Sequence, residues 1–64
     1  MADYYRDIKA ALVAAGCHFV RNGKGDHEIW FSPISQRNFT LDRKVNVKHT
    51  ANGTLKDAGL DKKF

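Results

Sequence analysis

The stretch that most constrains this chain runs from Arg21 to Phe31: Arg-Asn-Gly-Lys-Gly-Asp-His-Glu-Ile-Trp-Phe. Two glycines break the backbone within three residues, and a run of β-branched and aromatic side chains follows at once. A glycine turn opening into such a run reads as the corner of a β-hairpin. His27 stands at the junction, held by a strand and within reach of solvent. Histidine is the side chain whose unperturbed pKa, about 6.5, allows it to take up and release a proton near neutrality. A fold that places a histidine at the mouth of a strand has a place for proton-transfer chemistry.

The residues before the hairpin repeat at a different period. Tyr5, Ile8, Leu12 and Ala15 recur at steps of three and four, with Arg6, Asp7 and Lys9 between them. This predicts an amphipathic helix with one buried stripe. Asp3 is its expected N-cap and Gly16 its stop. From Cys17 the period becomes two. Strands are expected over Cys17 to Arg21, His27 to Ser32 and Asn38 to Asp42, with turns at Asn22 to Asp26 and Ile34 to Arg37. Pro33 closes the second strand because it has no backbone N–H to donate. In the third, Phe39 and Leu41 alternate with polar neighbours.

Arg43 to His49 reads as an extended lead-in. Thr50 is the expected cap of a second helix, whose stripe is Ala51, Leu55 and Ala58 and whose end is Gly59-Leu60. Gly53 lies in that helix at a cost of about 1 kcal/mol against alanine, so packing on the sheet must hold it. The predicted architecture is α+β: a two-layer α-β-β-β-α domain over residues 1–64, both helices on one face of a three-stranded antiparallel meander. The tail leaves the docking of Phe64 open.

Sixty-four residues allow one small core, since a chain this short hides only about 60% of its unfolded surface. Cys17 is the single cysteine, so no disulfide framework exists, and together with the lack of a leader-like segment this points to a cytoplasmic protein. No apolar run approaches the roughly 20 residues that span a bilayer, and no membrane is expected. The net charge is +4. Arg21 and Lys24 flank the glycine turn, and Arg37, Arg43, Lys44 and Lys48 follow with Asp42 as the one acid among them. Such a distribution favours polyanions through a salt-sensitive attraction, which makes nucleic acid the first partner to consider. Arg21, Lys24, Arg43, Lys44 and Lys48 are the candidate RNA-binding cations.

On the second strand His27, Ile29 and Phe31 face one way and Glu28, Trp30 and Ser32 the other. One set must cover the helices and the other must face outward. Trp30 is offered as a base-stacking or partner-anchoring residue if its face is the open one, and as the largest core residue if it is not. Cys17, His18, His27 and His49 show none of the repeated close spacings of a zinc site, so neither metal nor other cofactor is expected. There is no Walker-type loop, nor a serine or cysteine nucleophile with a base at a telling distance.

Gly16 at the helix end, Arg21 leading into the glycine turn, Gly25-Asp26-His27 before apolar strand residues, and Thr50 through Lys56-Asp57-Ala58-Gly59-Leu60 together resemble the HicA family of toxins from HicA–HicB toxin–antitoxin pairs. The resemblance spans the chain from the first helix to Leu60. Asp26 stands where the family typically has serine, and His49 where it has glycine. The resemblance implies a fold like a double-stranded-RNA-binding domain. It also implies a metal-independent endoribonuclease, an mRNA interferase, that cleaves messenger RNA and is inhibited by a HicB-like antitoxin. The family's catalytic histidine maps onto His27. In that reading His27 is the general acid/base, Lys24 and Arg21 lie near the scissile phosphate, and Asp26 or Glu28 orients the imidazole. The alternatives are a non-catalytic RNA-binding module of the same fold and a protein that binds only another polypeptide.

Overall fold

The structure is a computed structural model and describes residues 3–64. Five elements follow one another: α1 (Tyr5–Ala14), β1 (His18–Asn22), β2 (His27–Ser32), β3 (Arg37–Asp42) and α2 (Lys48–Asp57). The expected α-β-β-β-α order and three-stranded antiparallel meander are present, with strand order β1-β2-β3.

Asp3 does the capping work expected of it from one position farther out than a formal N-cap: its carboxylate accepts the Tyr5 N–H at 3.1 Å, while Tyr4 occupies the cap position. The helix stops where Gly16 takes a φ of +89°. There the Cys17 N–H donates to the Leu12 carbonyl at 2.9 Å and the Gly16 N–H to that of Val13 at 3.1 Å. This pair of bonds is a Schellman motif. Cys17 therefore belongs to the helix end, with its thiol buried, and β1 begins one residue later than the sequence suggests.

The same motif closes α2. Leu60 donates to the Leu55 carbonyl and Gly59 to that of Lys56, each at 2.9 Å, with Gly59 at φ +83°. At the other end of α2 the expectation fails. Thr50 is not the cap: the helix starts at Lys48, and extended Val47 holds the cap position without a side-chain bond. The backbone sets this start, because the Val47 carbonyl already accepts the Ala51 N–H at 3.0 Å. The lead-in is anchored too, since Val45 is buried and its carbonyl accepts the Tyr4 N–H at 3.1 Å.

Ile8 and Leu12 of α1, Ala51 and Leu55 of α2, and Trp30, Phe39 and Leu41 of the sheet form one core. Both helices thus cover the same sheet face. Phe64 docks at the edge of this core, its ring 4.7 Å from that of Tyr4. Ser32, fully buried, ties the layers together. Its hydroxyl donates to the Ala58 carbonyl at 2.6 Å and accepts the Ile34 and Ser35 N–H groups. No described helix is long and apolar enough to cross a membrane.

Candidate nucleic-acid interface and the His27 site

The sheet assigns each paired hairpin side chain to a face, Val20 alone falling in a break of register between Phe19 and Arg21. In β2 the burial alternates: Glu28, Trp30 and Ser32 are buried, Ile29 and Phe31 half-buried, and His27 exposed. Cross-strand partners share a face, which extends the assignment to β1 and β3. His18 lies opposite Phe31 and Arg21 opposite Ile29. Asp42, Thr40 and Asn38 lie opposite His27, Ile29 and Phe31 respectively. These residues make up the open face.

Trp30 is therefore not available for base stacking. It is 3% exposed, its indole N–H donates to Glu28 Oε1 at 2.9 Å, and the Phe19 ring meets it edge-on at 6.3 Å. Its large apolar body is what the helices need, and Glu28 satisfies its one polar atom inside the core. The outward aromatic of β2 is Phe31.

His27 is fixed through its backbone. Its N–H donates to the Lys24 carbonyl at 3.2 Å, and its carbonyl accepts the Gly23 N–H at 2.8 Å. Two short bonds across the Gly23–Asp26 turn thus hold the start of β2 while the imidazole stays exposed. The turn needs one of its two glycines for its backbone, and has room at the other. Gly25 has φ +65°, a region that costs most other residues strain. A Cβ on Gly23 would stand 3.4 Å from the Cβ of His27 and from Cδ1 of Ile29.

The sequence-predicted residues divide into two groups. Arg21 shares the open face with His27, and Lys24 is exposed in the turn beside it. Arg43 and Lys44 are drawn instead to two acids, exposed Asp26 in the turn and buried Glu28 on the helix side. Lys44 Nζ is 3.2 Å from Asp26 Oδ2, and Arg43 lies 3.8 Å from Asp26 and 3.9 Å from Glu28. The two pairs to Asp26 are well exposed on both sides, so solvent leaves them weak, whereas the Glu28 carboxylate that Arg43 approaches is itself mostly buried. Lys48 is exposed as the first residue of α2.

Glu28 does not orient His27. Strand alternation turns it to the helix side, where its carboxylate accepts the Tyr5 hydroxyl at 3.0 and 3.2 Å as well as the Trp30 N–H. A buried carboxylate needs such donors, and Glu28 has two. They act on Tyr5 in return: burial first, then the hydrogen bond to Glu28 and its charge, raise the phenol pKa above its usual 10, with Arg43 opposing. The carboxylate opposite His27 on the same face is Asp42, which sequence reading treated only as an acid among basic residues. The signal that finds it is cross-strand register. Asp42 is itself steadied by accepting the Lys44 N–H at 2.8 Å.

His18 sits at the other end of the open face, its ring 5.4 Å from that of Phe31. His49 lines a shallow groove on α2 with Asn52, Gly53, Lys56 and Leu60, none of them from the hairpin. Neither histidine joins His27. Among the described residues no three His, Cys, Asp or Glu side chains gather closely enough to hold a metal ion.

Fold and site together define a small α+β domain whose helices cover one sheet face and whose other face carries an exposed histidine beside cationic side chains. In comparisons with protein-family models, curated proteins and solved structures, the chain matches none.

Proposed function

We propose that this chain is the toxin of a type II toxin–antitoxin pair: an endoribonuclease that cleaves messenger RNA through His27 without a metal and is neutralised by a HicB-like antitoxin. The observation that carries the proposal is His27 itself, exposed on the sheet face away from the helices and fixed through its own N–H and carbonyl against the Gly23–Lys24 end of the turn. The resemblance in the Gly25-Asp26-His27 segment and in the last helix supports it.

The chemistry needs little more than such a group. RNA brings its own nucleophile, the 2′-hydroxyl. His27 removes that proton as the 2′ oxygen attacks phosphorus, and the bond to the 5′ oxygen breaks as that oxygen takes up a proton. The products are a 2′,3′-cyclic phosphate and a 5′-hydroxyl. A positioned general acid or base contributes about 10²–10⁴-fold. Arg21 and Lys24 supply positive charge where the phosphorane develops negative charge. Asp42, opposite His27, is better placed than Glu28 to set the imidazole's orientation. With neither His18 nor His49 at this end of the sheet, the second proton transfer falls to His27 or to water, which makes for a slow enzyme.

That single imidazole also favours one other reading, a non-catalytic RNA-binding module using the same face. Expression of wild type and His27→Ala in cells separates them. Growth arrest and transcript loss with wild type alone support the nuclease, and arrest by both variants removes His27 from the mechanism.

A further inference from the structure

We infer that the open sheet face is a platform for single-stranded RNA, with one base stacked on Phe31 and the strand running along β2 toward His27. The inference rests on the RNA reading above and adds to it a substrate form and a contact residue. Phe31 is the outward aromatic of the central strand, and the His18 ring lies 5.4 Å from it at an interplanar angle of 35°. Ile29 continues the apolar strip toward His27, and Arg21 stands beside it from β1. Thr40 and Asn38 border the strip on β3 and offer hydrogen-bonding groups to base edges.

The occupant follows from this chemistry. Stacking on an aromatic is open to any base with a free π-face, and a duplex hides those faces, so RNA proteins reach unpaired nucleotides this way. The molecule measures only 16 Å along its shortest axis, the depth of one sheet and one helix layer. Both helices pack on the opposite sheet face, against Trp30, Phe39 and Leu41. The open face itself holds one cation, Arg21, and one acid, Asp42, so the complement to a polyanion comes from exposed Lys24 in the adjoining turn and from the chain's net charge of +4. Phe31 and His27 are four residues apart, about 13 Å at the strand rise of ~3.3 Å per residue. A strand with a base on Phe31 therefore carries its backbone past His27 within a few nucleotides.

The test uses a labelled RNA oligomer with 2′-O-methyl groups, which blocks the nucleophile and separates binding from cleavage. Its affinity is measured by fluorescence anisotropy, single-stranded and as a duplex of the same length. Wild type is expected to prefer the single strand. Phe31→Leu is expected to weaken it about fivefold or more, Phe31→Tyr to retain it within about twofold, and Arg21→Gln to lower its salt dependence by about one unit of log slope. Thermal melts check that each variant is folded, and His18→Ala, expected to weaken binding a few-fold, replaces Phe31→Leu should the latter not fold. Equal affinity of folded Phe31→Leu and wild type, or tighter binding of the duplex, overturns the inference and leaves the face to a protein partner. Cleavage by a wild type that ignores Phe31 sinks only this inference, whereas stacking on Phe31 without cleavage sinks only the nuclease.

Discussion

At the scale of single residues, the hairpin sorts two neighbours into opposite roles. His27 and Glu28 are adjacent in sequence, yet the strand sends the first to solvent and the second into the core. Glu28 then becomes structural, tied to Tyr5 and Trp30. The raised pKa of Tyr5 makes this tie pH-dependent. Because the folded-state pKa lies above the unfolded one, the stabilisation is fully present below pH ~10 and is lost as pH rises through the folded value. Melting temperature should therefore hold steady to about pH 9 and fall above it. Tyr5→Phe should start lower at neutral pH and show a shallower alkaline decline. A decline as steep in Tyr5→Phe as in wild type contradicts the role given to this hydroxyl.

At the scale of elements, α2 and the turn that closes it hold two glycines with opposite requirements. Gly59 has φ +83°, and an added Cβ would come within 2.7 Å of Ile34 Cγ2. Gly53 is helical, with open space where a Cβ would go. Gly53→Ala should thus stabilise the domain by about 1 kcal/mol, and Gly59→Ala should destabilise it by at least about 1–2 kcal/mol from backbone handedness alone. Chemical denaturation of the two variants reads both signs, and the same sign for both is incompatible with this account of α2. The start of α2 also works against its own dipole, having Lys48 and no acid in its first turn. Lys48→Glu should gain about 0.3–1 kcal/mol in stability while weakening RNA binding, if Lys48 is there for a polyanion. Stabilisation with unchanged RNA affinity removes Lys48 from the interface.

Element order was legible in the sequence because each period is clean: three and four in α1, two across the sheet, glycine at both helix ends. Boundaries slipped where backbone bonds decided them. Cys17 joined the helix end through a Schellman bond, and Thr50 was displaced as cap by a turn that the Val47 carbonyl had already begun. The position of His27 was legible from its glycine turn, and so were the two faces of β2. Which face turned outward was not, since both carry large apolar residues. The helices settle it by burying Trp30. Asp42 was invisible as a neighbour of His27 because register is a property of paired strands.

At the scale of the molecule, a single layer of helix over a single sheet leaves a face that neither helix covers, and that face carries His27, Arg21 and Phe31. A domain of this size hides a modest share of its surface, so an uncovered half-apolar sheet is a natural seat for a partner, RNA or an antitoxin in turn. The central claim is that His27 moves the proton in RNA cleavage. Its most direct test is end-group analysis of a transcript incubated in chelator with purified wild type or His27→Ala. The account predicts 2′,3′-cyclic phosphate and 5′-hydroxyl ends from wild type, with the rate at least about 10²-fold lower in the variant. Cleavage by folded His27→Ala at the wild-type rate, or ends of the opposite polarity, contradicts it.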